Sequence, residues 1–166
     1  MVANSSAPAT SVGVNLDQQL CLALYTASRA MTARYRIALT PLGVTYPQYL
    51  VMLLLWEEGP CSVGTIGKRL SLDSSTLSPL LKRLQALGLV TRTRDTTDER
   101  LMIVGLTEQG AALEAQNAAV GVEMRRATGQ TPEEYREMAE QLQALTARLE
   151  ASSAEATAGS VEPRAS

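Results

Sequence analysis

The chain has no histidine and no phenylalanine, only two cysteines, and aromatic residues at 4% of its 166 positions. Without histidine, zinc sites built on imidazole, histidine-based triads and imidazole general bases are excluded, and two cysteines cannot make a four-thiolate site. No metal and no cofactor is expected. Any reactive chemistry must come from carboxylates, lysine, tyrosine or a thiol. Long hydrophobic runs are missing too: the most apolar stretch, Tyr49 to Trp56, falls far short of the ~20 residues that a membrane helix needs. The N-terminus lacks the basic and apolar regions of a secretory signal. The expectation is a cytoplasmic protein with reduced thiols and no membrane partner.

What remains is 45% apolar and 19% charged, a balance that suits one globular domain. Residues 1–14 and the tail 151–166 are small, polar and unpatterned, and read as disordered ends. Between them, 15–150 forms one uninterrupted domain with mostly helical apolar spacing. Leu16, Leu20, Leu24, Ala27, Met31, Tyr35 and Leu39 follow steps of three and four, which predicts a long amphipathic helix ending before Pro41. A second helix runs from about Tyr46 to Trp56 or Glu57, a brief third from Gly64 to Leu70, and a fourth ends near Leu87 at Gly88. Strand character is confined to Val90–Arg94 and Leu101–Leu106, joined by a polar tip. Thr107 and Thr131-Pro132 then open two long helices. The expected fold is mainly α, with six helices and one β-hairpin wing.

Two short helices, a tight turn and a hairpin form a winged helix-turn-helix, here about 61–106, whose second helix enters the major groove of DNA. The net charge of −2 looks adverse to nucleic acid, but it is segregated. Residues 66–100 carry seven basic groups against four acidic ones, +3, and the rest of the chain eight against thirteen, −5. Candidate DNA contacts are Ser74, Ser75, Thr76 and Ser78 at the start of the reading helix, then Lys82, Arg83, Arg92 and Arg94. The hydroxyls serve equally well as helix caps, and Lys82 and Arg83 as a solvated face. A cap at Ser75 or Thr76 would keep Pro79 in the first turn; a cap at Asp73 would put it inside the helix. The helices about 16–42 and 108–150 have little recognition chemistry of their own and read as dimerisation elements. A two-fold homodimer would hold two reading helices roughly 34 Å apart, which predicts double-stranded DNA with an inverted repeat as partner.

Cys21 falls early in the first helix, where the helix dipole favours an anion, although a lone small cysteine is usually a packed residue. Three of the five tyrosines, Tyr25, Tyr35 and Tyr46, follow it within 25 residues. Cys21 and Tyr35 share a helix face but stand about 21 Å apart along the axis. They meet only if the first helices of two subunits run antiparallel about a two-fold axis. Cys61 has no surroundings that suggest activation.

Leu80-Leu81-Lys82-Arg83-Leu84, Gly88-Leu89-Val90-Thr91-Arg92, the wing Asp98-Glu99-Arg100 and Leu106-Thr107-Glu108-Gln109-Gly110 together resemble the MarR family of dimeric winged-helix repressors. The segment LDQQLCLALY, Leu16 to Tyr25, with TYPQYL, Thr45 to Leu50, is similar to its OhrR branch of organic-hydroperoxide sensors. The resemblance implies that Cys21 is the peroxide-reactive cysteine. It implies that Tyr35 and Tyr46 hydrogen-bond its thiolate across the dimer, with Tyr25 a third tyrosine nearby. It further implies that Arg100 enters the minor groove and that Asp98 orients it. A second redox cysteine in the C-terminal helices is missing, so the resemblance points to the one-cysteine kind, completed by a low-molecular-weight thiol or by further oxidation. An apolar pocket lined by leucines and Met31 or Met52 would favour organic peroxides. The expected function is a non-enzymatic repressor that releases its operator when Cys21 is oxidised. The competing readings are a repressor of the same fold released by a small phenolic or apolar ligand, a one-cysteine thiol peroxidase, and a dimerisation domain with no DNA role.

Overall fold

The computed structural model describes residues 15–159, so the expectation of a disordered N-terminus over 1–14 lies outside the described residues. A 3-10 turn, Leu16–Gln18, precedes helix α1, Leu20–Ala38. The single helix expected from Leu16 therefore starts at Leu20, because Gln19 is extended (φ −75°, ψ 112°) and its N–H closes the 3-10 turn on the Leu16 carbonyl. A second 3-10 turn, Thr40–Leu42, carries the chain round Pro41 and ends on left-handed Gly43. Helix α2, Tyr46–Glu58, is opened by a capping box: the Gln48 side chain accepts from the Thr45 N–H at 2.8 Å, and Pro47 sits in the first turn, where no N–H is needed.

Strand β1, Cys61–Ser62, leads into α3, Val63–Leu70, whose first turn is capped by the Ser62 hydroxyl. The turn into α4, Ser74–Ala86, is tight. A Cβ on Gly67 would come within 2.9 Å of the Leu72 carbonyl oxygen, so only glycine allows this approach, and Ser71 adopts a left-handed conformation at φ 52°. Asp73, not Ser75 or Thr76, is the N-cap of α4, and Pro79 consequently lies inside the helix. Pro79 forgoes one backbone bond; Asp73 accepts from the Thr76 N–H and from the hydroxyls of Ser75 and Thr76.

Strands β2, Val90–Arg94, and β3, Met102–Leu106, form the expected hairpin, and β1 adds a third antiparallel strand on the far side of β3 with Cys61 opposite Val104. Helices α5, Glu108–Ala112, and α6, Glu114–Thr128, replace the single long helix expected there. Leu113 between them keeps a right-handed helical conformation, so the pair is one bent helix and the count of six stands. Gly110 lies so close to the preceding turn that a Cβ would sit 2.0 Å from the Leu89 carbonyl oxygen, and its own carbonyl accepts from Trp56 Nε1 at 3.0 Å. The last helix, α7, Pro132–Gly159, runs past Glu150, so the expected disordered tail does not begin at 151; the rest of that tail, 160–166, lies outside the described residues. Ala151-Ser152-Ser153-Ala154-Glu155-Ala156 contains no helix breaker, so the alanine-rich end extends the helix.

The core gathers between α2, α3, α4, the sheet and α6. Leu39, Val51, Ile66, Leu81, Leu84 and Val104 are fully buried there. Each contributes about 1.5–3 kcal/mol by leaving water. α1 fully buries none of its 19 residues and only packs Met31, Tyr35 and Ala38 against this core. No helix of the described residues is long and apolar enough to cross a membrane.

Candidate functional site

The buried stripe of α4, Leu77, Leu80, Leu81 and Leu84, turns the opposite face outward. Ser74, Lys82 and Arg83 are exposed on it and Ser78 is half-buried. The hydroxyls of Ser75 and Thr76 are directed back to Asp73, which anchors the start of the helix. These bonds, the Ser75 hydroxyl's first, hold the Asp73 carboxyl below its usual range. Helix α4 thus presents two hydroxyls already used in capping and two, Ser74 and Ser78, away from its buried stripe.

The hairpin tip is ordered by a second carboxylate. Asp95 accepts from the Thr97 hydroxyl and from the backbone N–H groups of Thr97 and Asp98 at 2.8 and 2.9 Å. The Thr97 hydroxyl is the leading cause holding the Asp95 carboxyl low. Asp98 accepts from the Arg100 backbone N–H at 3.0 Å. Asp98 therefore fixes Arg100 through its backbone, and no ion pair joins the two side chains among the described residues. Arg100 and Arg94 are exposed. Arg92 is only half free: it stands opposite Val104 in the sheet, and its Nε is buried without a hydrogen-bond partner.

A second centre lies at the far end of α1. Tyr35 packs on Tyr46 with ring centroids 4.4 Å apart and on Tyr49 at 5.9 Å, and Tyr49 meets Trp56 edge-on at 6.3 Å. The Tyr49 hydroxyl donates to Asn117 Oδ1 at 2.6 Å. Burial, then Tyr135, Tyr46 and Tyr49, push the Tyr35 phenol above its usual range, and a hydrogen bond with Tyr135 adds to this. Burial and then Tyr135 raise Tyr46. These phenols keep their protons at neutral pH and remain donors. Tyr135, from α7, was not among the sequence candidates; nothing in linear spacing links it to Tyr35, a hundred residues away.

Cys21 is exposed, at the second residue of α1, and stands with neither Tyr35 nor Tyr46. Tyr25 stays near Cys21, one turn along, where its hydroxyl accepts from Arg29 at 3.1 Å and its ring lies under that guanidinium at 5.6 Å. Cys21, Tyr25, Ser28, Thr32 and Tyr35 alternate steps of four and three, so they run as one stripe along α1. Beside this stripe an open groove of about 500 Å³ is lined by Ser28, Arg29, Thr32 and Arg36 of α1 and by 44–47, ending at Tyr46 and Pro47. The expected methionine lining is absent from it. Met52 is a core residue at 1% exposure, and Met31 lines a separate groove of about 640 Å³ with Ala27, Arg34 and Met138. Cys61 is half-buried, and burial followed by the Glu58 carboxylate pushes its thiol up, away from the reactive form. No group of residues able to hold a metal ion occurs among the described residues.

Residues 44–102 match the MarR family. The chain is 45% identical over 137 residues to the HTH-type transcriptional regulator TtmR of Methylorubrum extorquens (strain PA1), covering 82% of this chain and 70% of that one. It is 50% identical over 100 residues to the organic hydroperoxide resistance transcriptional regulator of Bacillus subtilis (strain 168), covering 60% and 68%. Among solved structures, overoxidized AbfR bound to DNA superposes with a TM-score of 0.66 at 38% identity, over 81% of this chain and 94% of that one.

Proposed function

Since this chain belongs to the MarR family and is a DNA-binding transcriptional regulator of winged-helix fold, we propose that it works as a homodimeric repressor which binds an inverted-repeat operator and leaves it when an organic hydroperoxide oxidises Cys21. The observation that carries this reading is the stripe on α1. Cys21 stands near one end of α1 and Tyr35, packed on Tyr46 of α2, near the other, about 21 Å along the axis. Antiparallel packing of two α1 helices along that stripe brings Cys21 of each subunit to the tyrosines of the other. The groove at Tyr46 leaves room for it.

In the reduced dimer the phenols of Tyr35 and Tyr46 donate to the thiolate and fix the spacing of the two reading helices. The thiolate attacks the outer oxygen of the hydroperoxide. An S–O bond forms, the O–O bond breaks, and the departing alkoxide takes a proton and leaves as the alcohol, with sulfur oxidised to sulfenic acid. A low-molecular-weight thiol then displaces the sulfenic oxygen as water and leaves a mixed disulfide on Cys21. That added bulk parts the tyrosines from the sulfur and changes the dimer geometry. Overoxidized AbfR is seen on DNA, which favours the mixed disulfide as the releasing species here. On DNA, Ser74, Ser78 and Lys82 face the major groove, Arg83 and Arg94 the phosphates, and Arg100 the minor groove.

A mobility-shift titration on an inverted-repeat promoter fragment tests the reading. Cumene hydroperoxide with a thiol such as cysteine releases the wild type, and dithiothreitol restores binding; Cys21→Ser stays bound throughout. Release of Cys21→Ser by the peroxide would show that the thiol is not the sensor.

A further inference from the structure

The tyrosine centre continues along α2 towards the wing. Tyr46, Tyr49, Leu53 and Trp56 follow steps of three, four and three, so they share one face of that helix. Tyr49 leans on Tyr35 at 5.9 Å and meets the indole of Trp56 edge-on at 6.3 Å, while its hydroxyl is tied to Asn117 of α6 at 2.6 Å. Trp56 Nε1 donates to the Gly110 carbonyl of α5 at 3.0 Å. Gly110 in turn is pressed on Leu89, whose carbonyl oxygen a Cβ would meet at 2.0 Å. Leu89 is the joint between α4 and the wing: its N–H donates to the Leu84 carbonyl at 3.1 Å, its carbonyl accepts from the Thr107 N–H at 3.1 Å, and β2 starts at the next residue. From the Tyr35 ring to the root of the wing, every step is a ring contact, a hydrogen bond or a close backbone approach.

We infer that Trp56 is a positioning residue for operator binding, the group that carries the state of the Cys21 thiol from the tyrosines to the joint of α4 and β2. The inference rests on the peroxide-sensing reading above. In the reduced dimer Tyr35 is held by the thiolate, and in the mixed disulfide it loses that hold. Tyr35 touches Tyr46 and Tyr49, so a turn of its ring displaces theirs. Tyr49 is anchored to α6 at its hydroxyl, and pivoting about that anchor swings its ring against the indole. The indole N–H reaches the Gly110 carbonyl only while the ring keeps its angle, because a hydrogen bond weakens steeply off line. Losing that bond frees the turn that sets how α4 and β2 meet. No covalent step occurs at Trp56; what passes along the chain of contacts is a choice between two packings.

Trp56 is the one tryptophan of the chain, so tryptophan emission reports this contact without any change to the residue itself. The experiment uses the full-length dimer in a Cys61→Ser background, where Cys21 is the sole thiol, treated with cumene hydroperoxide and cysteine. The emission should change with the same rate constant as operator release, and dithiothreitol should reverse both. A control that also carries Cys21→Ser should show neither. In the same background Trp56→Phe keeps a ring and removes the N–H. The ratio of operator affinities, reduced over oxidised, should shrink about tenfold, while the rate at which the peroxide oxidises Cys21 stays as it is. Flat emission while oxidised protein leaves the operator would overturn the role of Trp56 and leave the sensing reading standing. A Trp56→Phe variant that lowers both affinities equally and keeps their ratio would make the indole merely structural and also overturn it. Should that variant not fold, the emission of the protein with Trp56 intact decides alone. If cumene hydroperoxide leaves Cys21 unoxidised, or if oxidised protein stays on the operator, the sensing reading itself falls.

Discussion

The two halves of this molecule solve the problem of apolar surface in opposite ways. From Leu39 to Met124 the chain folds on itself, and the large side chains of α2, α3, α4 and the sheet are nearly all hidden. The terminal helices do not. α1 fully buries none of its residues in the protomer, Tyr25 and Ile37 are 58% and 60% exposed, and α7 exposes Met138, Leu142 and Leu149. Apolar patches on this scale mark an interface. The winged half is complete in one chain and carries exposed cations; the terminal half leaves its apolar residues open, and the proposed dimer would cover them. Cys21 lies in the half left open, so under the proposed reading its chemistry is tied to assembly.

Gly110→Ala strikes the self-contained half hardest. Its new Cβ would meet the Leu89 carbonyl at 2.0 Å, so the turn must move, at a cost of about 3 kcal/mol or more. Leu81→Ala in the same core costs about 2–5 kcal/mol. Urea midpoints should fall in both cases. Leu142→Glu in the other half should leave the helical signal of the winged core in place yet weaken the dimer by at least about a hundredfold, as sedimentation equilibrium would record; a fall in core stability with an intact dimer would reverse the comparison. Arg83→Ala sharpens the contrast from the DNA side, because operator affinity should drop and the slope against log salt should lessen by about one, with no change in dimer mass. Asp73→Ala should lower the thermal midpoint by a few degrees near neutral pH. The folded pKa of Asp73 is depressed, so its contribution is present above the unfolded value of about 3.9 and disappears as pH falls through the lowered one; wild type and variant should converge in acid. The smallest effect belongs to the Arg34–Glu123 pair that joins the halves. Both side chains are about 40% exposed, and Arg34→Ala should cost no more than about 0.5 kcal/mol.

The winged half was legible because its signals are local. Capping residues, the turn between α3 and α4, the alternation at Val90–Arg94 and the Gly88 stop all lie within a few residues of what they control. The placement of Cys21 and Tyr35 on one helix face, too far apart to touch, also followed from helical geometry alone. What escaped depends on distant parts of the chain or on competition between neighbours. The Asp73 cap prevailed over Pro79 because one carboxylate gathers three donors. The pairing of Cys61 with Val104 depends on the free edge that β3 offers. The influence of Tyr135 on the Tyr35 phenol spans a hundred residues of intervening chain. Met52, an attractive pocket residue by position, faces the core.

The length of α1 between Cys21 and Tyr35 has a consequence in genetics. Under the proposed arrangement each sensing centre takes its sulfur from one gene product and its phenols from another. A cell with two alleles, one encoding Cys21→Ser and the other Tyr35→Phe, would make mixed dimers in which one centre carries both lesions and the other carries none. Two alleles that are each unresponsive alone would then complement one another, whereas two lesions on a single allele would not.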